Sequence, residues 1–230
     1  VDRDFGFGGG ETWAKVTSWG GPARPGFNDA GWREVDVPHD WVVELPFVQE
    51  PRTSELVSHG FKPVGRAFPE TSIGWYRKRF TLATEDEGKR FFIDFGGVFR
   101  DCHVWLNGVL LGRHEGGYAP FGFDATDFVR TGENVLTVRV DATQAEGWFY
   151  EGAGIYRHVW LVKTAPVHVA PGGAFVSAEV HGAGATLTVR TQVENEGDAA
   201  AACRIVSTVT DPLGKVVARA AAPHARLAAW

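Results

Sequence analysis

HVWLNGVLLG, residues 103–112, carries the strongest local structural signal in the sequence. Asn107-Gly108 lies between apolar flanks and supplies the two positive-φ positions of a type I′ turn, whose twist matches that of two antiparallel strands. The stretch therefore predicts a two-residue β-hairpin. Alternation recurs on both sides of it. Trp75, Arg77, Arg79 and Thr81 alternate with Tyr76, Lys78, Phe80 and Leu82, and Phe91, Ile93 and Phe95 alternate with Phe92 and Asp94. Both patterns read as half-buried strands. NVLTVRV (134–140) sets Leu136, Val138 and Val140 on one face and Thr137 and Arg139 on the other. HVWLV (158–162) is apolar at every alternate position, as a strand covered on both faces would be. Helix is confined to single turns such as FDATDFV (123–129), where Asp124 is placed to cap the N–H of Asp127. The expected class is all-β, with closely spaced antiparallel strands folded into a sandwich or jelly roll.

Bulk composition bounds what the motifs can mean. The 230 residues are 44% hydrophobic, enough for one large or two ordinary domains with a buried core. Formal net charge is −5, from 23 basic and 28 acidic residues that are interspersed. Such a surface leaves no electrostatic footprint for nucleic acid or an anionic membrane, so neither is expected as a partner. No apolar run is long enough to span a bilayer. The chain starts at Val1 and has no Met, so a piece of a longer polypeptide is expected. Periplasmic or secreted and cytoplasmic locations both stay open. Cys102 and Cys203 lie far apart with no CxxC neighbour, which argues against a disulfide or zinc site. Nine Trp stand out, because an indole serves either as core filler or as a platform on which a sugar ring stacks.

Composition shifts after Thr164: aromatic residues thin out, Ala becomes abundant, and a new alternation runs from Leu187 to Glu194. A second domain is expected from about Pro166, giving domains 1–165 and 166–230. Asp211-Pro212-Leu213-Gly214 has Pro and Gly where a type I turn favours them, joining RIVSTVT to KVVARAA. About four strands fit there, against the roughly seven of an immunoglobulin-like sandwich, so this domain is expected to be partial.

Motifs for common chemistries fail on inspection. HEGGY (114–118) starts like a zinc-protease helix but has Tyr118 where the second His belongs. Gly152-Ala153-Gly154 starts like a dinucleotide loop, yet Arg157 occupies the third glycine position. In contrast, the order of PHDW (38–41), IGWYRKRF (73–80), the long run 104–141 and GAGIYRHVWL (152–161) resembles the amino-terminal jelly-roll domain of glycoside hydrolase family 2, which includes β-galactosidases and β-glucuronidases. HGFKPVGRAF (59–68) further resembles the β-galactosidase-like branch. The resemblance implies a galactose-binding-like jelly-roll β-sandwich over residues 1–165, followed by a partial immunoglobulin-like β-sandwich. It also implies a missing (β/α)8 barrel that carries two glutamates. Retaining hydrolysis needs two carboxyl groups about 5 Å apart, and a barrel to hold them takes ~250 residues. No catalytic residue, cofactor or metal is therefore expected in this chain.

The resemblance also singles out residues. FNDAGWREVDVPHDW (27–41) admits two readings. In one, Trp32 and Trp41 lock the chain's entry into the jelly roll while His39 and Asp40 hydrogen-bond nearby backbone. In the other the loop faces the barrel mouth, and Asp40, with Trp41 beside it, accepts bonds from sugar hydroxyls. Glu146, Trp148 and Tyr150 precede the last jelly-roll strand and complete the substrate-binding candidates, Trp148 being either a stacking platform or a domain-interface plug. Arg157 is expected to pair with a carboxylate, and Arg100-Asp101 to be solvated or locally paired. The long insertion 51–66, with Arg52, His59 and Arg66, suits a lid or specificity loop. The implied partner is a β-galactoside-like carbohydrate. The alternatives are an independent carbohydrate-binding module, or a structural domain that forms a homo-oligomer through its aromatic surface.

Overall fold

The computed structural model describes residues 21–45, 73–142 and 152–230. These residues are all-β apart from three short 3-10 turns, and they fall into two compact units divided after Lys163, with Gly88–Arg90 grouped with the second.

The first unit is a two-sheet sandwich. Its strands are β1 (Ile73–Leu82), β2 (Arg90–Phe95), β3 (Asp101–Leu106), β4 (Val109–His114), β5 (Phe121–Asp124), β6 (Gly132–Asp141) and β7 (Val159–Thr164). One sheet has the order β1-β6-β3-β4, the other β5-β2-β7. The core lies between them because the period-2 alternation turns one row of each strand inward. Leu82 of β1, Cys102, Val104 and Leu106 of β3, and Leu136, Val138 and Val140 of β6 meet Phe91, Ile93 and Phe95 of β2. Phe121 stacks on Phe95 at 4.8 Å. β3 and β4 form the expected hairpin, with Asn107 at φ 52° and Gly108 at φ 88°. The Asn107 side chain also locks this turn to the rest of the sheet: its amide donates to Phe128 O and Asn134 Oδ1, each at 2.8 Å, and its Oδ1 accepts from Val135 N at 3.0 Å.

Thr137 and Arg139 do face away from the core, yet both are buried, because the outer surface of the four-stranded sheet is itself covered. Trp75 stacks on Trp105 at 5.5 Å, and Ala23 packs against Trp105. Arg77 fixes the covering segment. Its guanidinium donates to the carbonyls of Pro22, Arg24 and Pro25, to Thr137 Oγ1 and, at 2.9 Å, to Asp29 Oδ2. Arg79 adds two bonds to the same carboxylate, at 2.9 and 3.0 Å. These hydrogen bonds, that from Arg79 foremost, hold the Asp29 carboxyl below the usual aspartate range against the opposing effect of burial.

Two local expectations need correction. HVWLV is not covered on both faces: β7 is an edge strand, and Trp160 is 61% exposed. The continuous apolar run comes from Val159 packing inward while Trp160 faces out. Asp124 does cap the turn Thr126–Phe128, but through Thr126, whose N and Oγ1 donate to its Oδ1 at 2.9 and 2.6 Å. The N-cap position of this turn is Ala125, so Asp124, one residue earlier, meets the first N–H of the turn rather than that of Asp127.

The second unit has six strands rather than four: β8 (Val167–His181), β9 (Gly184–Asn195), β10 (Ala201–Cys203), β11 (Val206–Thr210), β12 (Val216–Ala221) and β13 (Ala225–Leu227). They pair as β8-β9, β10-β13 and β11-β12. The excess over the expectation lies in β10 and β13, three residues each and too short for an alternation to register. The turn at 211–214 is as read: Asp211 Oδ1 accepts from Leu213 N and Lys215 N, both at 2.9 Å, and Gly214 takes φ 82°. Among the described residues of this unit only Ala170 joins the buried apolar set. Cys102 and Cys203 are free thiols.

Candidate functional site

One end of the first unit is built from three segments distant in sequence. PHDW lies against GAGIY as extended chain: His39 N–H donates to Ile155 O at 2.8 Å and Trp41 N–H to Ala153 O at 3.0 Å. On its other side Gly154 exchanges two bonds with Phe99, at 2.9 and 3.0 Å. Only glycine fits at 154. Its φ is 127°, and a β-carbon there would collide with the Tyr76 hydroxyl and lie 2.7 Å from His39 O. Phe99 in turn fills the space that Gly117 leaves, and Tyr156 Oη donates to Gly117 O at 2.5 Å. Val42, Phe99, Ala142 and Ala153 form the small core beneath this end.

Asp40 is the N-cap of the 3-10 turn Trp41–Glu44. Its Oδ1 accepts from Val42 N at 2.9 Å and from Ala153 N at 3.0 Å, so one carboxylate oxygen ties PHDW to GAGIY. Trp41 lies half-buried over Gly74, 6.3 Å from the Tyr76 ring, and bridges the two core clusters. Trp32 stands apart from it, edge-on to Phe27 at 5.6 Å. Backbone hydrogen bonding by His39 and Asp40 is thus present as the first reading expects.

A chain of polar side chains that the sequence does not announce braces the loop. Tyr76 Oη accepts from the Ile155 N–H and lies 2.7 Å from His39 Nδ1. On the other side of the ring His39 Nε2 lies 3.1 Å from both Glu44 Oε1 and Arg33 Nη2. Glu44 also takes Arg33 Nη2 at 2.6 Å. Burial, seconded by the charges of Asp40 and Glu44, pushes the Tyr76 phenol far above its usual range, so it stays a donor. Arg33 pulls the Glu44 carboxyl down, burial opposes it, and His39 adds a smaller pull in the same direction as Arg33. A glycosidase acid needs its carboxyl raised, so Glu44 has the wrong electrostatics for that role. The arrangement positions the loop.

Glu146, Trp148 and Tyr150, like Arg52, His59 and Arg66, lie outside the described residues. Arg157 makes no carboxylate pair among the described residues; it donates to Gly96 O at 3.2 Å and covers the Tyr156 ring, because Gly96 leaves room for its aliphatic stem. Asp101 is locally paired, with Arg113, through two bonds of 2.8 and 2.5 Å.

PHDW and GAGIY belong to the motifs whose order resembles a glycoside hydrolase domain, and residues 28–165 match the family described as "Glycosyl hydrolases family 2, sugar binding domain". The chain belongs to glycoside hydrolase family 2. Carbohydrate is accordingly the partner class of the matched region. Over 199 residues it is 41% identical to the Bacteroides ovatus β-galactosidase BoGH2A, an alignment covering 85% of this chain and 22% of that protein. It is 32% identical to a β-glucuronidase of Formosa agariphila, over 84% of this chain and 21% of the relative. Its fold matches the crystal structure of a family 2 member from Bacteroides cellulosilyticus with a TM-score of 0.73 and 30% identity, covering 89% of this chain and 27% of that one. The chain thus spans about a fifth of the length of these curated relatives.

Proposed function

We propose that this chain is the noncatalytic amino-terminal part of a retaining β-glycosidase that hydrolyses terminal β-galactosides, and that its PHDW loop completes the sugar pocket of a following (β/α)8 barrel. The observation that carries the choice of sugar is the 41% identity to a β-galactosidase, against 32% to a β-glucuronidase over a similar share of the chain. In this reading the barrel supplies the acid/base and nucleophile carboxyls, Asp40 and Trp41 edge the subsite, and Glu146, Trp148 and Tyr150 are further substrate-binding residues. A carboxylate suits the task because it accepts two hydroxyl bonds without donating any. The Tyr76–His39–Glu44–Arg33 chain holds the loop that carries it.

The test is hydrolysis by the full-length protein that contains this chain. Nitrophenyl β-galactoside should be cleaved with higher kcat/KM than the β-glucuronide, and the 230-residue chain alone should cleave neither. The reverse preference, or turnover by the purified chain, overturns the reading.

A further inference from the structure

The outer face of the sheet β5-β2-β7 carries a group of side chains that the pocket does not use. Val159 packs into the core, so His158 and Trp160 face outward, and both are exposed. Their rings stack at 5.6 Å and 18°, which braces the indole while leaving it 61% exposed. On β2, Phe91, Ile93 and Phe95 point inward, and Asp94 therefore points outward. Gly96 N–H donates to His158 O at 2.9 Å, which sets the start of β7 beside the end of β2. Gly122 of β5 is the register partner of Asp94, and a β-carbon there would collide with Asp94 Oδ1, so the carboxylate lies over bare backbone.

Asp94 makes no hydrogen bond or ion pair among the described residues, and burial alone raises its carboxyl above the usual range. The half-buried Asp94 carboxylate has acceptor capacity left over, and it lies on the same outer face as the exposed, braced indole, so one ligand can donate to the first and stack on the second. An apolar protein surface would bury the carboxylate unpaired, and an anionic lipid would repel it. A neutral pyranose offers an apolar C–H face to the indole and hydroxyl donors to the carboxylate.

We propose that this face is a second carbohydrate-binding platform, selective for neutral pyranosides, with Trp160 as stacking surface, His158 as its brace and Asp94 as hydroxyl acceptor. It is separate from the proposed pocket at Asp40 and does not depend on it.

The experiment is a titration of the 230-residue chain with a soluble β-1,4-linked galactose oligosaccharide, read by calorimetry and by the indole N–H resonances. Saturable binding is expected, with the Trp160 resonance shifting. Trp160→Ala, at an exposed edge position that leaves the core intact, should raise Kd at least tenfold at unchanged melting temperature. Asp94→Asn should raise Kd severalfold, and an oligogalacturonate should bind at least tenfold more weakly. Absence of saturable binding, unchanged affinity in Trp160→Ala, or equal affinity for the uronate overturns the proposal. So does a concentration-dependent mass that Trp160→Ala abolishes, which would make the face a contact between copies of this chain.

Discussion

Asp94 and Asp40 are two carboxylates of one sandwich in opposite surroundings. Asp40 is engaged by two backbone N–H groups, whereas Asp94 meets only desolvation. The folded-state pKa of Asp94 is raised, so the native state prefers its proton; the cost appears as pH rises from the unfolded aspartate range through the folded value, and it is absent below both. Asp94→Asn should therefore raise the melting temperature at neutral pH, and the gain should vanish in acid, as thermal unfolding across a pH series will record. At this scale the sequence is only partly legible. The Asn107-Gly108 turn is readable because its signal lies within two adjacent residues. The Tyr76–His39 hydrogen bond is not, because it joins positions 37 apart that only the pairing of strand and loop brings together. Nor does any local pattern reveal that the lone Gly122 makes room for a carboxylate on the next strand.

Among the elements, the alternation of β1, β2 and β6 was readable because each strand has one face in a common core. The exposure of β7 was not. Whether an apolar strand is central or at an edge depends on what lies beside it, which periodicity within the strand does not encode. The covering of Thr137 and Arg139 follows the same logic, since residues 22–29 reach this sheet through Asp29, 48 residues before Arg77. The Arg77 side chain is 1% exposed, so removing its carboxylate partner leaves a buried charge held by neutral acceptors alone. Asp29→Ala should lower the unfolding free energy by about 2 kcal/mol at pH 7. The sign with pH is opposite to that for Asp94. A depressed carboxylate pKa contributes stability above the unfolded aspartate value, and that contribution fades as pH falls through the folded one. Wild type and Asp29→Ala should accordingly converge in acid, as urea denaturation at several pH values will show.

For the whole molecule, burial is divided unequally. Nearly all of the buried apolar residues belong to the first unit, while Phe175, Val176 and Val180 of β8 are exposed. Local opening free energies follow the density of buried contacts, so amide exchange should be slowest in β2, β3 and β6 and fast throughout β8 to β13. Comparable protection of both units would contradict this division. The family was legible at this scale because its four motifs lie in the first unit, where their order is what brings PHDW against GAGIY. The six strands of the second unit were undercounted because three-residue strands carry no period.

The central claim, that this sandwich lends a carboxylate to a galactoside pocket completed elsewhere in the polypeptide, is tested most directly at Asp40. Asp40→Asn keeps an amide oxygen for the Val42 and Ala153 N–H donors while removing the charge. The measurement is kcat/KM of the full-length variant on an aryl β-galactoside, with its melting temperature taken alongside. A fall of about tenfold to a hundredfold at unchanged melting temperature is predicted, the scale of one lost charge-assisted hydrogen bond. Unchanged kcat/KM in the folded variant would contradict it.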